Sequence, residues 1–290
     1  MKKLAPLLVL TAGVLWGCMG IYVRVMNAAG LFTMNIVFLR ALVTSSMLGI
    51  LFLIFDRSML RIRLKDIWCF IGTGLLSIVF FNYCYFKAIT VTSLSVACIL
   101  MYTAPIIVMV LSFFLFKEKF TGRKVIALVM TFGGCVLVTG VLTDSGNVTP
   151  QGILLGLGAG FGYALYSIFS KFALERGYHS LTISFYTFLV AAVGSLFLCT
   201  PGEALRIAVA NPKTGLVCFM LGVFGTVIPY LTYTLGLKYM DNGRASIIAS
   251  IEPVAATLIG VFLYGERLTG SGLAGAVIVL AALAMCSKTE

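Results

Sequence analysis

Apolar positions in this chain neither alternate with polar ones nor keep to one face of a helical period; they run on without a break. Stretches free of Asp, Glu, Lys and Arg cover residues 4–23, 67–86, 88–116, 125–143, 145–170, 177–202, 214–237 and 268–287. A further run at 25–55 is interrupted only by Arg40, and one at 245–265 only by Glu252. A helix rising ~1.5 Å per residue needs about 20 such residues to cross the hydrocarbon core of a bilayer. The pattern therefore predicts ten spans, near 4–26, 32–55, 66–89, 92–115, 122–142, 151–174, 180–199, 214–237, 243–264 and 271–287. Continuous runs exclude a β-barrel, whose strands alternate in polarity. Ten spans of about 21 residues leave roughly 80 for nine loops and two tails, too few for a soluble catalytic module.

Composition agrees with the pattern. Apolar residues make up 60% and charged residues 11% of the 290, against roughly 45–50% and about 25% in soluble domains. Too few polar side chains remain to cover a soluble surface, which excludes soluble enzymes and nucleic-acid binders. The net charge of +11 is explained by topology. Placing the N-terminus inside puts fifteen of the 21 Lys and Arg on the cytoplasmic side, including Lys2, Lys3, Arg57, Arg61, Arg63, Lys117, Lys119, Arg123, Lys124 and Arg176. Lys and Arg accumulate on that side of membrane proteins, so both termini are expected in the cytoplasm, with no nucleic-acid partner. Lys2-Lys3 followed by an apolar run resembles a secretory signal, but the run is long enough to span, and we read it as an uncleaved first helix. The eight cysteines lie inside apolar segments without a C-x-x-C pair, and His179 is the one histidine, so the residues imply neither a metal nor any other cofactor.

An internal repeat changes the picture most. Residues 85–122 match 233–270 at a constant shift of 148: Tyr85 meets Tyr233, Ala97 meets Ala245, Pro105 meets Pro253, and Glu118-Lys119-Phe120-Thr121-Gly122 meets Glu266-Arg267-Leu268-Thr269-Gly270. A shift of 147 aligns Trp16 with Tyr163 and Arg24 with Lys171. The chain reads as two related halves of five helices, 1–142 and 151–287, and because five is odd the halves must be inverted. The expected fold is thus an all-α polytopic membrane protein with ten transmembrane helices in two inverted repeats. Many secondary transporters have this plan, with a substrate site near the midplane where the halves meet.

A mid-helix proline followed thirteen residues later by Glu-(Lys/Arg)-x-Thr-Gly, present twice at one spacing, resembles the drug/metabolite transporter superfamily, EamA type. The resemblance covers the whole chain. It implies movement of small metabolites, often export of amino acids or related solutes, through a cavity lined by the first, third, fourth, sixth, eighth and ninth helices.

Several residues stand out as candidates for that cavity. Glu252 lies nine residues into its helix, roughly 13 Å deep at ~1.5 Å per residue. A carboxylate there costs about 2.5–3.5 kcal/mol on insertion scales and should face a cavity or a partner. It can bind a substrate amine or carry a proton; the plain alternative is a structural bond to a neighbouring helix. Pro253 cannot bond the carbonyl of Ala249, and Pro105, its repeat mate, frees that of Met101, so both are candidate hinges. Arg40 can attract an anionic group or pair with Glu252, unless it snorkels to the interface. Asn82 and Tyr85 share a helix face, as do their mates Tyr230 and Tyr233, and Trp16, Tyr102, Tyr163 and Tyr166 can add aromatic walls suited to an amine or an aliphatic or aromatic solute. Glu118 and Glu266 are adequately explained by tight turns, with Thr121 and Thr269 capping the following helices. Gly152, Gly156 and Gly160 recur every four residues, allowing close helix approach, and no phosphate-cradling motif occurs near them.

The expected function is secondary active transport, with export of amino acids or amines across a bacterial-type inner membrane favoured over uptake. An exchanger of phosphorylated or nucleotide-linked solutes is the alternative, although only Arg40 and Lys87 are placed to serve it. The expected partners are a small-molecule substrate and the lipid bilayer; a homodimer is left open by the residues.

Overall fold

The computed structural model describes residues 2–143, 148–267 and 269–287. Among these residues every regular element is helical. Nine helices are long and apolar enough to cross a membrane. In chain order with one shorter apolar helix they are α1 (Lys2–Ala28), α2 (Thr33–Phe55), α3 (Leu64–Val91), α4 (Leu94–Phe116), α5 (Gly122–Thr139), α6 (Pro150–Glu175), α7 (Ser180–Ser195), α8 (Pro212–Leu237), α9 (Asn242–Tyr264) and α10 (Gly270–Ser287). A helix at Pro201–Ala210, which the apolar runs did not predict, joins α7 to α8. Large side chains such as Phe55, Phe114, Phe197 and Phe262 stand on the outside, more than 70% exposed. Such a coat suits lipid rather than water.

Both termini lie at one end of the bundle, where Lys3 of α1 and Ser287 of α10 line the same depression. Short-range bonds tie the loops at this end together. Arg176 after α6 bonds Asp66 of α3 at 3.0 Å, Lys124 of α5 pairs with Asp241 before α9 at 2.7 Å, and Arg244 of α9 donates to the Cys286 carbonyl of α10. At the opposite end Thr149, capping α6, donates to the Val91 carbonyl that closes α3, Asn35 bonds Thr200, and Arg24 of α1 pairs with Glu266 after α9 at 2.8 Å. Helix α6 therefore starts where α1 ends, and the two halves run in opposite senses.

The repeat is visible in the packing. Helix α3 lies on α6, and α8, the mate of α3, lies on α1, the mate of α6. Helix α2 packs on its mate α7, and α5 on α10. Breaks in the helices obey the same symmetry. Helix α4 is interrupted between Met101 and Ala104, and α9 between Ala249 and Glu252, in each case just before the proline. Proline lacks an N–H and disfavours α geometry in the residue before it, so the last carbonyls before each break lose their helical partners. Helix α1 is also interrupted, at Cys18. The expected spans at 4–26, 92–115 and 243–264 are thus each two segments. Two π-helical stretches, Gly72–Val79 in α3 and Val223–Val227 in α8, occupy overlapping positions of the two halves.

Candidate functional site

The central cavity sits where α1, α3, α6 and α8 meet. Its lining is Trp16, Ser77, Ile78, Phe81, Tyr163, Tyr166, Ser167, Tyr230 and Tyr233. The volume is about 20 Å³, room for about one water, so the site is closed around itself. Two larger depressions, each about 400 Å³, open on the surface of the bundle. Lys87 lines one of them, but none of the candidate aromatic residues nor Glu252 lines either, and the convergence of polar and aromatic groups singles out the small central cavity.

Aromatic edges fit against each other around it. The Trp16 ring meets Tyr230 at 5.1 Å, Tyr233 at 5.3 Å and Tyr163 at 6.2 Å between centroids. Tyr166 stands edge-on to Tyr230 at 4.9 Å. Two hydroxyls are fixed by partners on the facing helix: Tyr166 bonds Thr234 at 2.8 Å, and Tyr233 bonds Ser167 at 2.7 Å. The Tyr163 hydroxyl instead donates to Oε2 of Glu252 at 3.1 Å. Glu252 opens the second segment of α9, immediately after the break. Its carboxyl group thus reaches the cavity wall through Tyr163.

Five of the aromatic residues expected from the sequence, Trp16, Tyr163, Tyr166, Tyr230 and Tyr233, come together here. Asn82 and Tyr85 do not. Asn82 turns its amide onto the Ile78 carbonyl of its own helix at 2.7 Å, and Tyr85 bonds Cys98 at 2.9 Å while stacking on Phe81. Phe81 takes their place in the wall, edge-on to Tyr163 at 5.4 Å. The cause is the π stretch, which is eight residues long in α3 and five in α8. Each π turn accommodates an extra residue and rotates the following face, so equal positions in the two halves no longer face the same way. Tyr102 lies in the α4 break, packed with Cys135, Ile251 and Val254 rather than against the cavity. Pro105 and Pro253 begin the second segments of α4 and α9 and touch the site only through the breaks they cause.

Arg40 neither snorkels nor pairs with Glu252. It is 3% exposed, and among the described residues no carboxylate lies within ion-pair distance of it. Among the described residues its one bond runs from Nη1 to the Met19 sulfur at 3.8 Å. Ser77, Phe81 and Ser167 were missed by reading the sequence. Ser167 is four residues after Tyr163, and Phe81 four before Tyr85, so helical spacing from the recognised aromatics was the available signal.

The turns after α4 and α9 also match. Lys117 and Gly265 both take left-handed backbone angles, φ 55° and 66°. Glu118 and Glu266 then return N–H bonds to Ser112 and Gly260. From there the two acids diverge. Glu118 accepts N–H bonds from Asn242 and Gly243 at the start of α9, at 2.8 and 3.3 Å; burial pushes its carboxyl up, and these bonds pull it back down. Glu266 stays exposed on Arg24, whose guanidinium also covers the Tyr264 ring at 4.1 Å.

Comparison with known proteins gives the family. The EamA-like transporter family matches residues 3–140 and again 150–288. The chain is 33% identical over 212 residues to an "Uncharacterized transporter" of Archaeoglobus fulgidus, covering 71% of this chain and 73% of that protein. It is 29% identical over 208 residues to the "Uncharacterized transporter YwfM" of Bacillus subtilis, covering 70% and 68%. A solved crystal structure superposes with a TM-score of 0.80 at 19% identity, over 97% of this chain and 95% of the other, which is a likeness of fold. Two matches spanning both halves of this helical bundle place the chain in the EamA-like transporter family.

Proposed function

We propose that this multi-pass membrane protein is a secondary active transporter that exports small amine-bearing metabolites, such as amino acids or amines, by alternating access. The halves are 1–142 and 151–287, the helices cross the membrane ten times with α7 as a short crossing, and both termini are cytoplasmic in a bacterial-type inner membrane. Termini that share one end, together with most of the Lys and Arg, support the even count and the orientation. The observation that carries the reading is the aromatic cavity with Glu252 joined to it through Tyr163, at a helix break matched by one in the other half. Trp16, Arg40, Tyr163, Tyr166, Tyr230 and Tyr233 contact the cargo, Pro105 and Pro253 give the hinges, and Glu252 exchanges a proton or the cargo amine as the halves rock.

The experiment compares extracellular and intracellular metabolites in cells carrying wild type, Glu252→Gln or an empty vector, at equal membrane abundance. Accumulation of a few amines or amino acids outside, with wild type alone, is the expected result. Normal gradient-driven flux in the Glu252→Gln variant would remove Glu252 from the coupling step. Equal metabolite levels in all three strains would overturn export.

A further inference from the structure

The depression beside the termini has walls built by helical spacing. Lys3, Leu7 and Leu10 of α1 line one side, and Leu280, Leu283 and Ser287 of α10 line the other. On each helix these positions recur three or four residues apart, so they share a face. Ile248 of α9 lines it too, and the first segment of α9, Asn242–Ala249, packs on both α1 and α10. Seven residues at ~1.5 Å each make the walls about 10 Å long. Helix α1 leaves this end of the bundle and α10 arrives at it. Lys3 and Ser287 therefore lie at the outer end, and Leu10 and Leu280 lie deepest.

The volume is about 400 Å³. Leu7 and Leu280 are half-exposed, whereas Ile248 and Leu283 are buried, which makes a groove with a closed floor and an open side. On a membrane-spanning bundle that side faces acyl chains. Among the described residues neither Lys2 nor Lys3 lies within ion-pair distance of a carboxylate. A cation above an apolar trough complements a phospholipid, whose phosphate sits at the water and whose chain runs inward. Basic pockets between membrane-spanning helices hold anionic headgroups in this way. A lysine stem lies along apolar surface while its ammonium reaches the headgroup. A second copy of the chain would bring the same net charge of +11, whereas an anionic lipid offsets it.

We propose that this groove binds an anionic phospholipid, with the headgroup at Lys3 and Ser287 and an acyl chain between α1 and α10 against Ile248. The site is independent of what the protein carries. Because the first segment of α9 forms its floor, the lipid holds that segment in place, and a ligand of the folded state raises the melting temperature.

Delipidated full-length protein in detergent, mixed with equal amounts of phosphatidylglycerol and phosphatidylcholine of the same chains, tests it by native mass spectrometry. Wild type is expected to retain phosphatidylglycerol about fivefold over phosphatidylcholine, the preference that one basic residue at a membrane surface supplies. It should also melt at a higher temperature with phosphatidylglycerol. Lys3→Gln should bring the ratio close to one, whereas Lys213→Gln, at the start of α8, should leave it unchanged. Leu280→Trp fills the trough and should abolish both the preference and the rise in melting temperature. If that variant fails to fold, Leu7→Trp makes the same test from the facing wall. Equal retention of the two lipids by wild type overturns the site, as does the wild-type preference in Lys3→Gln or in a folded Trp variant. An equal loss in Lys213→Gln overturns it as a general effect of surface charge. A wild-type dimer that retains neither lipid gives the groove to a second copy and overturns it too.

Discussion

Tyr163 and Glu252 make the contact on which the proposed coupling turns. The carboxyl group accepts one hydrogen bond from a side chain, the Tyr163 hydroxyl at 3.1 Å, and a hydrogen bond to a charged group contributes about 1.5–3 kcal/mol. Replacing Tyr163 by Phe keeps the ring that packs on Trp16 and Phe81 and removes that bond alone. Flux at neutral pH is expected to fall at least tenfold, with unchanged membrane abundance; proteoliposome flux measured across a pH series checks it, and a wild-type profile would separate Tyr163 from Glu252. Lys117 offers a test of local backbone rather than chemistry. It holds φ 55° at a turn where its repeat mate is Gly265. A side chain in the left-handed region costs about 1–2 kcal/mol, which glycine avoids at some loss of unfolded-state order. Lys117→Gly is therefore expected to stabilise by about 0.5–1 kcal/mol, read as a higher melting temperature in detergent with transport unaffected.

At the scale of elements, the two broken helices are each received by a glycine on the other half. A Cβ on Gly13 of α1 would stand 2.6 Å from the Ala249 carbonyl oxygen, the acceptor that Pro253 leaves free. A Cβ on Gly160 of α6 would stand 2.6 Å from the Thr103 hydroxyl and 2.9 Å from the Leu100 carbonyl oxygen, beside the break before Pro105. The positions correspond in the repeat, and beside a side-chain atom each Cβ would meet a backbone carbonyl, which cannot rotate away. Gly13→Ala and Gly160→Ala should each destabilise by about 1–3 kcal/mol, as overpacking does, and push α1 from α9 or α6 from α4. Thermal melts of the purified variants measure the loss; Gly20→Ala, which meets nothing within 4 Å, is the control. The same spacing explains why Gly152, Gly156 and Gly160 recur on α6: they admit Thr92, Leu100 and Thr103.

The molecule as a whole treats its two ends differently. At the end with the termini, Glu118 binds the first N–H groups of α9 and Lys124 pairs with Asp241. The matching acid at the other end, Glu266, is turned outward to Arg24 instead of the start of α4, where Ser93 caps its own helix. The proposed alternating access requires the terminal end to open. Cysteines placed as K124C and D241C, in a background without the eight native ones, should be joined by a reducible bifunctional reagent. Flux is expected to stop on linking and to return on reduction; complete linking without loss of flux would show that this end does not open during the cycle.

The apolar runs determined the helical membrane fold, because length acts along the chain and needs no knowledge of packing; the basic bias and the 148-residue shift carry the proposed orientation and the proposed inversion of the halves. The same shift located both proline breaks, and a shift of 147 paired Trp16 with Tyr163. Tertiary structure decided which side chains share a cavity. Asn82 and Tyr85 were paired with Tyr230 and Tyr233 by position, yet Phe81, Ser77 and Ile78 line the cavity from α3 instead, in a helix whose π stretch is longer than that of α8. Arg40 shows the limit most plainly. Sequence places a cation inside a span, where snorkelling, pairing and ligand binding all satisfy it equally, and only the surroundings separate them: buried, bonded to one sulfur, and with no carboxylate in reach among the described residues. Helix rotation within the bundle is set by packing between elements far apart in the chain, and hydropathy carries no signal for it.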